Sequence, residues 1–265
     1  MVYLLLPAAI FFSAFFILPM ARLFLVGGGG TLGWGAYAAI LNDPVYFHAL
    51  WATIGVAATT TVVTLVISGV TGVFLQRHPF PGNALLVSLL TLPLALPGVV
   101  VGFMVILLAG RQGLLGGVAR ILTGENWVFA YSLSGLFVGY VYFSIPRAIL
   151  TVMAAAEKLD PRLEEAARSL GASPWRVVCD VILPGLKPAL LAAGAICFAT
   201  AVGAFGTAFT LAARINVLPM VIYTEFTLSA NIAMAAALSF VLGAVTWLVL
   251  MLARSASGSA VAAAG

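Results

Sequence analysis

Residues 51–75, WATIGVAATTTVVTLVISGVTGVFL, run for 25 positions without an Asp, Glu, Lys or Arg. As a helix this stretch is about 37 Å long, enough to cross a hydrocarbon core of ~30 Å. Its apolar positions do not alternate with polar ones, so it lacks the period of a membrane β-strand. Lipid offers free backbone groups no hydrogen-bond partner, so a run of this kind spans as a helix. Five further runs share its character, giving segments at Tyr3–Val26, Trp51–Leu75, Ala84–Ala109, Trp127–Met153, Pro188–Ala212 and Asn231–Ala253. The fold expected is an all-α membrane protein with six transmembrane helices, forming a single transmembrane domain over residues 1–265.

Composition agrees. Of 265 residues 63% are hydrophobic and 8% charged, with a mean hydropathy of +1.17. Soluble domains carry about 25% charged residues, so a soluble enzyme and a disordered chain are both excluded. The net charge of +4 comes from 12 basic and 8 acidic side chains, and the basic ones cluster between the spans. Their placement reports orientation and gives no reason to expect nucleic acid as a partner. Cys179 and Cys197 have neither metal-ligand nor disulfide-framework spacing. The opening MVYLLLPAAIFFSAFFILPMARLFLV has no basic residue before Arg22 and an apolar run longer than a leader's, so it reads as a retained first span.

A cytoplasmic N-terminus puts eight basic residues inside (Arg77, Arg147, Lys158, Arg162, Arg168, Arg176, Lys187, Arg254) and four outside (Arg22, Arg111, Arg120, Arg214). The opposite topology violates the positive-inside rule. Both termini are therefore expected on the cytoplasmic side of the membrane. The glycine-rich GGGGTLGWG at 27–35 reads as an outer connection, followed by a short interfacial helix starting at Asp43-Pro44 with Tyr46, Phe47 and Trp51 at headgroup level. The turn QRHPFPG at 76–82 joins the second and third spans on the inner side. His48 and His78 have no acid or nucleophile beside them and read as solvated.

The longest polar stretch, Glu157–Lys187, holds five of the eight acidic residues: Glu157, Asp160, Glu164, Glu165 and Asp180. Asp160 is a good N-cap and Pro161 suits the first helical position. Leu163, Ala166, Ala167 and Leu170 fall on one helical face, and Gly171 ends the helix. Ser173-Pro174 then starts a second short helix, expected to end near Pro184. A small-residue helix bounded by glycine and proline suits entry into a partner's groove, although a plain connector with good caps has the same local grammar.

The run EEAARSLGASPWRVVCDVILP at 164–184 resembles the EAA loop of permease subunits of binding-protein-dependent ABC importers of type I. In that pattern Glu-Ala-Ala is followed after three residues by Gly, and after nine more by aliphatic-x-Leu-Pro. Glu165, Ala166, Ala167, Gly171, Val181, Leu183 and Pro184 match, with Val181 in place of the commoner isoleucine. Six spans with this loop between the fourth and fifth is also the family's layout. The resemblance implies a coupling helix seated in a cleft of a cytoplasmic ATP-binding subunit. Glu165 would make polar contacts there, Ala166 and Ala167 would allow close approach, and Gly171 would set the turn. It further implies two such ATP-binding subunits, a second permease subunit of the same or another sequence, and an extracytoplasmic solute-binding protein that sets selectivity. The location implied is the bacterial cytoplasmic membrane.

No ATP-hydrolysing motif is present. A phosphate loop needs Gly-x-x-x-x-Gly-Lys followed by Ser or Thr, and the two lysines are Lys158 before Leu159 and Lys187 before Pro188. The chain is thus expected to be a non-enzymatic subunit with no cofactor of its own, ATP belonging to a partner.

Candidate path residues lie where spans carry breakers or hydroxyls. Pro93 and Pro97 sit in LPLALPGVVVG at 92–102, expected to kink the third span. Gly203, Phe205 and Gly206 lie in AVGAFGTAF of the fifth, with Phe205 a gate or a packing residue. Tyr140, Tyr142, Phe143 and Ser144 lie in the fourth, where hydroxyls favour the bundle interior. No acidic residue lies deep in a span, which disfavours an ion-coupled secondary transporter or channel, the main alternative; a non-transporting membrane scaffold is a third. Glu225 and Arg214, on the outer side, either touch a receptor or are solvated. The runs INVLPMVIYTEF at 215–226 and NIAMAAALSFVLG at 231–243 resemble the polyamine, ferric-iron and phosphonate or sulfate importer group, and of these a spermidine or putrescine system is the substrate expected.

Overall fold

A computed structural model describes residues 5–125, 127–211 and 215–257. Tyr3 and Ala212, the predicted edges of two spans, and Arg214 lie outside them. The described residues are helical with no strand among them. In chain order the helices are α1 (Leu6–Gly27), α2 (Gly35–Asn42), α3 (Pro44–Arg77), α4 (Asn83–Thr91), α5 (Gly98–Ala109), α6 (Leu114–Thr123), α7 (Leu133–Glu157), α8 (Pro161–Ser169), α9 (Pro174–Val202), α10 (Phe205–Leu211), α11 (Leu218–Thr227) and α12 (Ile232–Ser257). Six stretches among the described residues are long and apolar enough to cross a membrane: Leu6–Gly27, Pro44–Arg77, Gly98–Thr123, Leu133–Glu157, Pro174–Val202 and Ile232–Ser255.

The fourth long stretch is Leu133–Glu157 where Trp127–Met153 was expected, and the fifth ends at Val202, before a break, where Ala212 was expected. Three further differences from the sequence reading have a local cause. The interfacial helix at Asp43-Pro44 is not separate. The Asp43 Oδ1 atom accepts from the Val45 amide at 2.8 Å, and the helix that starts there runs on for 34 residues. Nothing between Pro44 and Arg77 breaks it, and Thr53, Thr59 and Thr61 donate back to carbonyls four residues earlier at 2.7–2.8 Å.

The third predicted span, 84–109, is broken rather than kinked. A 3-10 turn, Leu92–Ala95, follows α4; Leu96 and Pro97 are then extended, with ψ of 131° and 146°. Pro97 disfavours helical backbone at the residue before it, in keeping with the extended Leu96. The long stretch begins after the break, at Gly98.

The helix that begins at Pro174 does not stop at Pro184. It widens into a π turn over Val178–Ile182, where the Leu183 amide donates to the Val178 carbonyl, and continues as an α-helix to Val202. The same device occurs in α1, where the Leu18 amide donates to Ser13 before Pro19. A proline ring clashes with the carbonyl four residues back and brings no donor. In both helices that carbonyl, on Phe15 or Asp180, lies within the wider turn, so the helix passes the proline without ending.

The chain divides into two compact units. One comprises Met1–Ile54 and Ile215–Trp247. Its core is Ala36, Ile40, Ala49, Leu50, Leu218, Met234, Ala237 and Leu238. Thr53 donates to the Ala49 carbonyl at 2.7 Å and accepts from the Leu218 amide at 2.8 Å, so the start of α11 is satisfied by a buried hydroxyl. Phe24 gathers Trp34, Tyr37 and Phe240 with ring centroids 4.9–5.3 Å away. Tyr37 donates to the Phe24 carbonyl at 2.8 Å, and burial raises its phenol pKa.

The other unit comprises Gly55–Arg214 and Leu248–Gly265. Val152, Ala156 and Leu186 form a buried cluster, with Val73, Leu159, Ile182 and Leu190 packed against it. Gly72 lets α3 approach α7, since a Cβ there would lie 2.8 Å from Val152 Cγ1. In lipid, where apolar surface gains nothing by leaving the solvent, such close backbone contact is what associates helices.

Candidate functional site

The segment between α7 and α9 adopts the local structure its residues predict. Asp160 accepts from the Arg162 amide at 2.9 Å and caps α8, with Pro161 first in the helix. Gly171 has φ +83°, its amide donates to Arg168 at 2.9 Å, and the Ala172 amide donates to Ala167 at 3.0 Å. That pair of bonds is a Schellman motif, and its left-handed position favours glycine. Ser173 then caps α9 by accepting from the Arg176 amide at 3.4 Å.

The predicted apolar face of α8 is left uncovered. Leu163 and Ala166 are exposed and Ala167 half-buried, while Leu170 is 89% exposed and Trp175 75%. Glu165 also points outward and Gly171 is exposed, so Glu165, Ala166, Ala167 and Gly171 share one accessible element. One flank of α8, beside half-buried Ala167, faces the molecule through a residue the sequence reading passed over. Glu164 Oε1 accepts from Arg77 Nη2 at 2.7 Å, and the two side chains are only 15% and 19% exposed. Arg77 Nη2 also lies 3.3 Å from the Leu159 carbonyl. Leu159 rests its side chain on Gly185 of α9, a position where any Cβ would strike it. A pair of adjacent glutamates carried no sign of which would turn inward.

The second feature is a crossing inside the membrane-spanning part. The break at Leu96–Pro97 meets a second break at Gly203–Ala204, which separates α9 from α10. Thr207 donates to the Gly98 carbonyl at 2.9 Å, and Tyr140 of α7 donates to the Ala204 carbonyl at 2.9 Å. Hydroxyls thus serve carbonyls at the breaks, as backbone in lipid requires. Glycines make the approach possible: a Cβ on Gly98 would lie 3.1 Å from Thr207 Oγ1, one on Gly206 3.1 Å from the Val99 amide nitrogen, and one on Gly102 2.6 Å from Thr210 Cβ. Replacing Thr207 by valine is expected to cost about 1 kcal/mol, read as a lower melting midpoint of the detergent-solubilised chain, with serine retaining most of the stability.

The path candidates divide. Gly206 belongs to the crossing, Pro93 is buried beside the break, and Pro97, Tyr142 and Phe205 are exposed. Tyr140 and Ser144 are buried, and Phe143 lies under the Arg147 guanidinium, 5.9 Å from its ring centroid. Two apolar grooves, of about 740 and 530 Å³, open between α3 and α9 and are lined by none of these candidates. Glu225 is half-buried and accepts from Tyr46 at 3.0 Å, which anchors α11 to the start of α3. Among the described residues no group of three or more His, Cys, Asp or Glu gathers for a metal.

Comparison with known proteins places this architecture. Residues 66–258 match the family model of the binding-protein-dependent transport system inner membrane component. The chain is 34% identical over 189 residues to the molybdenum transport system permease protein ModB of Escherichia coli (strain K12), covering 70% of this chain and 81% of that one. It is 36% identical over 173 residues to the chloroplastic sulfate permease 2 of Chlamydomonas reinhardtii, covering 65% of this chain and less than half, 46%, of that protein. A bacterial alginate ABC transporter, solved in complex with an alginate pentasaccharide-bound periplasmic protein, superimposes with a TM-score of 0.78 over 97% of this chain and 93% of that one, at 16% identity, which speaks to fold alone. A multi-pass helical chain with this loop between its fourth and fifth long stretches, matched over most of its length, belongs to the inner-membrane permease subunits of binding-protein-dependent ABC importers.

Proposed function

We propose that the whole chain acts as one permease domain that builds half of a solute path and couples it, through α8, to a separate ATP-binding subunit. The observation that carries this reading is the uncovered apolar face of α8, with Leu163 and Leu170 exposed on it, together with exposed Glu165 and, at the start of α9, Trp175. A partner groove covering them removes apolar surface from water, and an exposed Trp is the residue type most often dominant at such contacts. ATP binding draws two ATP-binding subunits together, moves the two α8 helices, and turns the cavity between two permease subunits from one side of the membrane to the other. Hydrolysis resets it. Exposed Tyr142, Phe205 and Pro97 then face that cavity, with Pro93 and Gly206 supporting the breaks. α8 and both termini lie in the cytoplasm, and a solute-binding protein docks on the opposite side.

The substrate class we propose is a small tetrahedral oxyanion. Support comes from the names of the relatives above, which carry sulfate and molybdenum, and from the spans holding no Asp or Glu besides Asp180 and Glu157, both beside the α8 loop, whereas a polycation would need counter-charge deep in the membrane. The resemblance of residues 215–226 to polyamine permeases motivates a competing arm.

The test is uptake into vesicles holding the chain with its ATP-binding subunits and receptor. Sulfate or molybdate accumulation that needs ATP and stops with a hydrolysis-dead ATP-binding subunit is expected. Accumulation of spermidine instead replaces the substrate class, and uptake indifferent to ATP overturns the importer reading.

A further inference from the structure

We infer that Arg77 and Glu164 form a strut that makes the loop helix α8 and the membrane-spanning helix α3 move together, so that Arg77 and Glu164 are positioning residues for coupling. The inference rests on the coupling reading above and adds to it the route by which a push on α8 enters the membrane. By its chain ends, α8 is joined only to α7 and α9, through the short turns at Lys158–Asp160 and Leu170–Ser173. Its polar link to α3 among the described residues is the 2.7 Å ion pair, made by side chains 87 positions apart. Arg77 is the last residue of α3, so force applied there acts along the axis of a 34-residue helix.

Three features separate this pair from an ordinary surface ion pair, which contributes little. Both side chains are largely shielded, at 19% and 15% exposure. The same guanidinium nitrogen also reaches the Leu159 carbonyl at 3.3 Å, so Arg77 binds the loop at two points. Leu159 itself is wedged on Gly185 of α9 and packs against the Val152, Ala156 and Leu186 cluster, so the point that Arg77 holds is fixed to α7 and α9. Arg77 Nε is already buried without a partner, so removing the Glu164 negative charge leaves a shielded cation poorly compensated. Arg168, itself exposed, brings its Nη2 to 3.9 Å from the second Glu164 oxygen, a looser contact one turn along α8.

The experiment uses the full chain assembled with its ATP-binding subunits in vesicles, comparing wild type, Arg77→Gln, Glu164→Gln and the charge swap Arg77→Glu with Glu164→Arg. Each single variant is expected to move about fivefold less solute per ATP hydrolysed, with the ATP-binding subunit still copurifying, and the swap to recover to within about twofold of wild type. A merely structural role lowers transport and hydrolysis together and leaves their ratio unchanged. Wild-type ratios in both single variants, or a swap no better than either, overturn the strut. Hydrogen exchange on the chain alone in lipid nanodiscs gives a readout without the ATP-binding subunit. Amides of residues 163–170 should exchange about tenfold faster in Glu164→Gln, and unchanged exchange overturns the strut as well. A cysteine at Ala166 that crosslinks to the ATP-binding subunit while the single variants behave as wild type sinks the strut and keeps the coupling reading. A wild-type complex with no such crosslink sinks the coupling reading itself.

Discussion

Replacing Gly171 by valine is expected to reduce ATP-driven uptake at least about tenfold while leaving the chain inserted and folded. Gly171 holds φ +83°, and a Cβ built there meets no atom within 4 Å. The penalty is therefore conformational and confined to the turn. For an L-residue the left-handed region costs about 1–2 kcal/mol, and more for a branched side chain. The turn escapes that cost by giving up the Schellman bonds from Gly171 to Arg168 and from Ala172 to Ala167, at 2.9 and 3.0 Å. α8 then loses its fixed angle to α9, and exposed Leu170 and Trp175 lose their fixed placement relative to each other. Asparagine tolerates the left-handed region, so Gly171→Asn should transport within about threefold of wild type. Uptake and ATP hydrolysis are measured on the same vesicles. Valine that transports as well as glycine would remove the turn from the mechanism. Glu165→Lys reverses a charge on the exposed helix α8, off its apolar face, without touching the backbone, and is expected to weaken copurification of the ATP-binding subunit while leaving the fold unchanged.

A leucine at Gly102 should destabilise the chain by about 3 kcal/mol or more, the upper end for overpacking. Its Cβ would lie 2.6 Å from Thr210 Cβ and 3.0 Å from Thr210 Oγ1. A β-carbon cannot swing aside as the end of a flexible side chain does, so α5 and α10 must separate. Separation strains the Thr207 to Gly98 bond at 2.9 Å and loosens the contact at Gly206. The control is Gly69→Leu on α3, where a Cβ meets nothing within 4 Å. There the helix gains from losing a glycine, by about 0.5–1 kcal/mol. Melting midpoints of the two solubilised variants should fall on opposite sides of wild type. Equal midpoints would mean that the crossing adapts and is not held by close backbone approach.

The loop and the crossing differed in how much of them could be read in the chain. The caps at Asp160 and Ser173 and the turn at Gly171 act over three or four residues, and each formed where its residue type predicted. Pro97 signalled a disturbance, but hydropathy averaged across it concealed a complete break. Pro184 looked like a terminus because a proline usually ends a helix, and the π turn that carries α9 past it has no local composition to announce it. Glu164 was indistinguishable from Glu165 by type and neighbourhood; a fold that brings Arg77 to one side of α8 separates them.

From the chain alone came the all-helical membrane class, the number of long apolar stretches, and the capped helix between the fourth and fifth. These depend on hydropathy over about twenty residues and on hydrogen bonds within a turn or two. Tertiary structure decided which carbonyls at the breaks are served by Thr207 and Tyr140, which glutamate pairs with Arg77, and which apolar face stays open. Each of those depends on residues brought together from distant positions, 109 apart for Thr207 and Gly98 and 64 apart for Tyr140 and Ala204, and only packing in three dimensions sets those pairings.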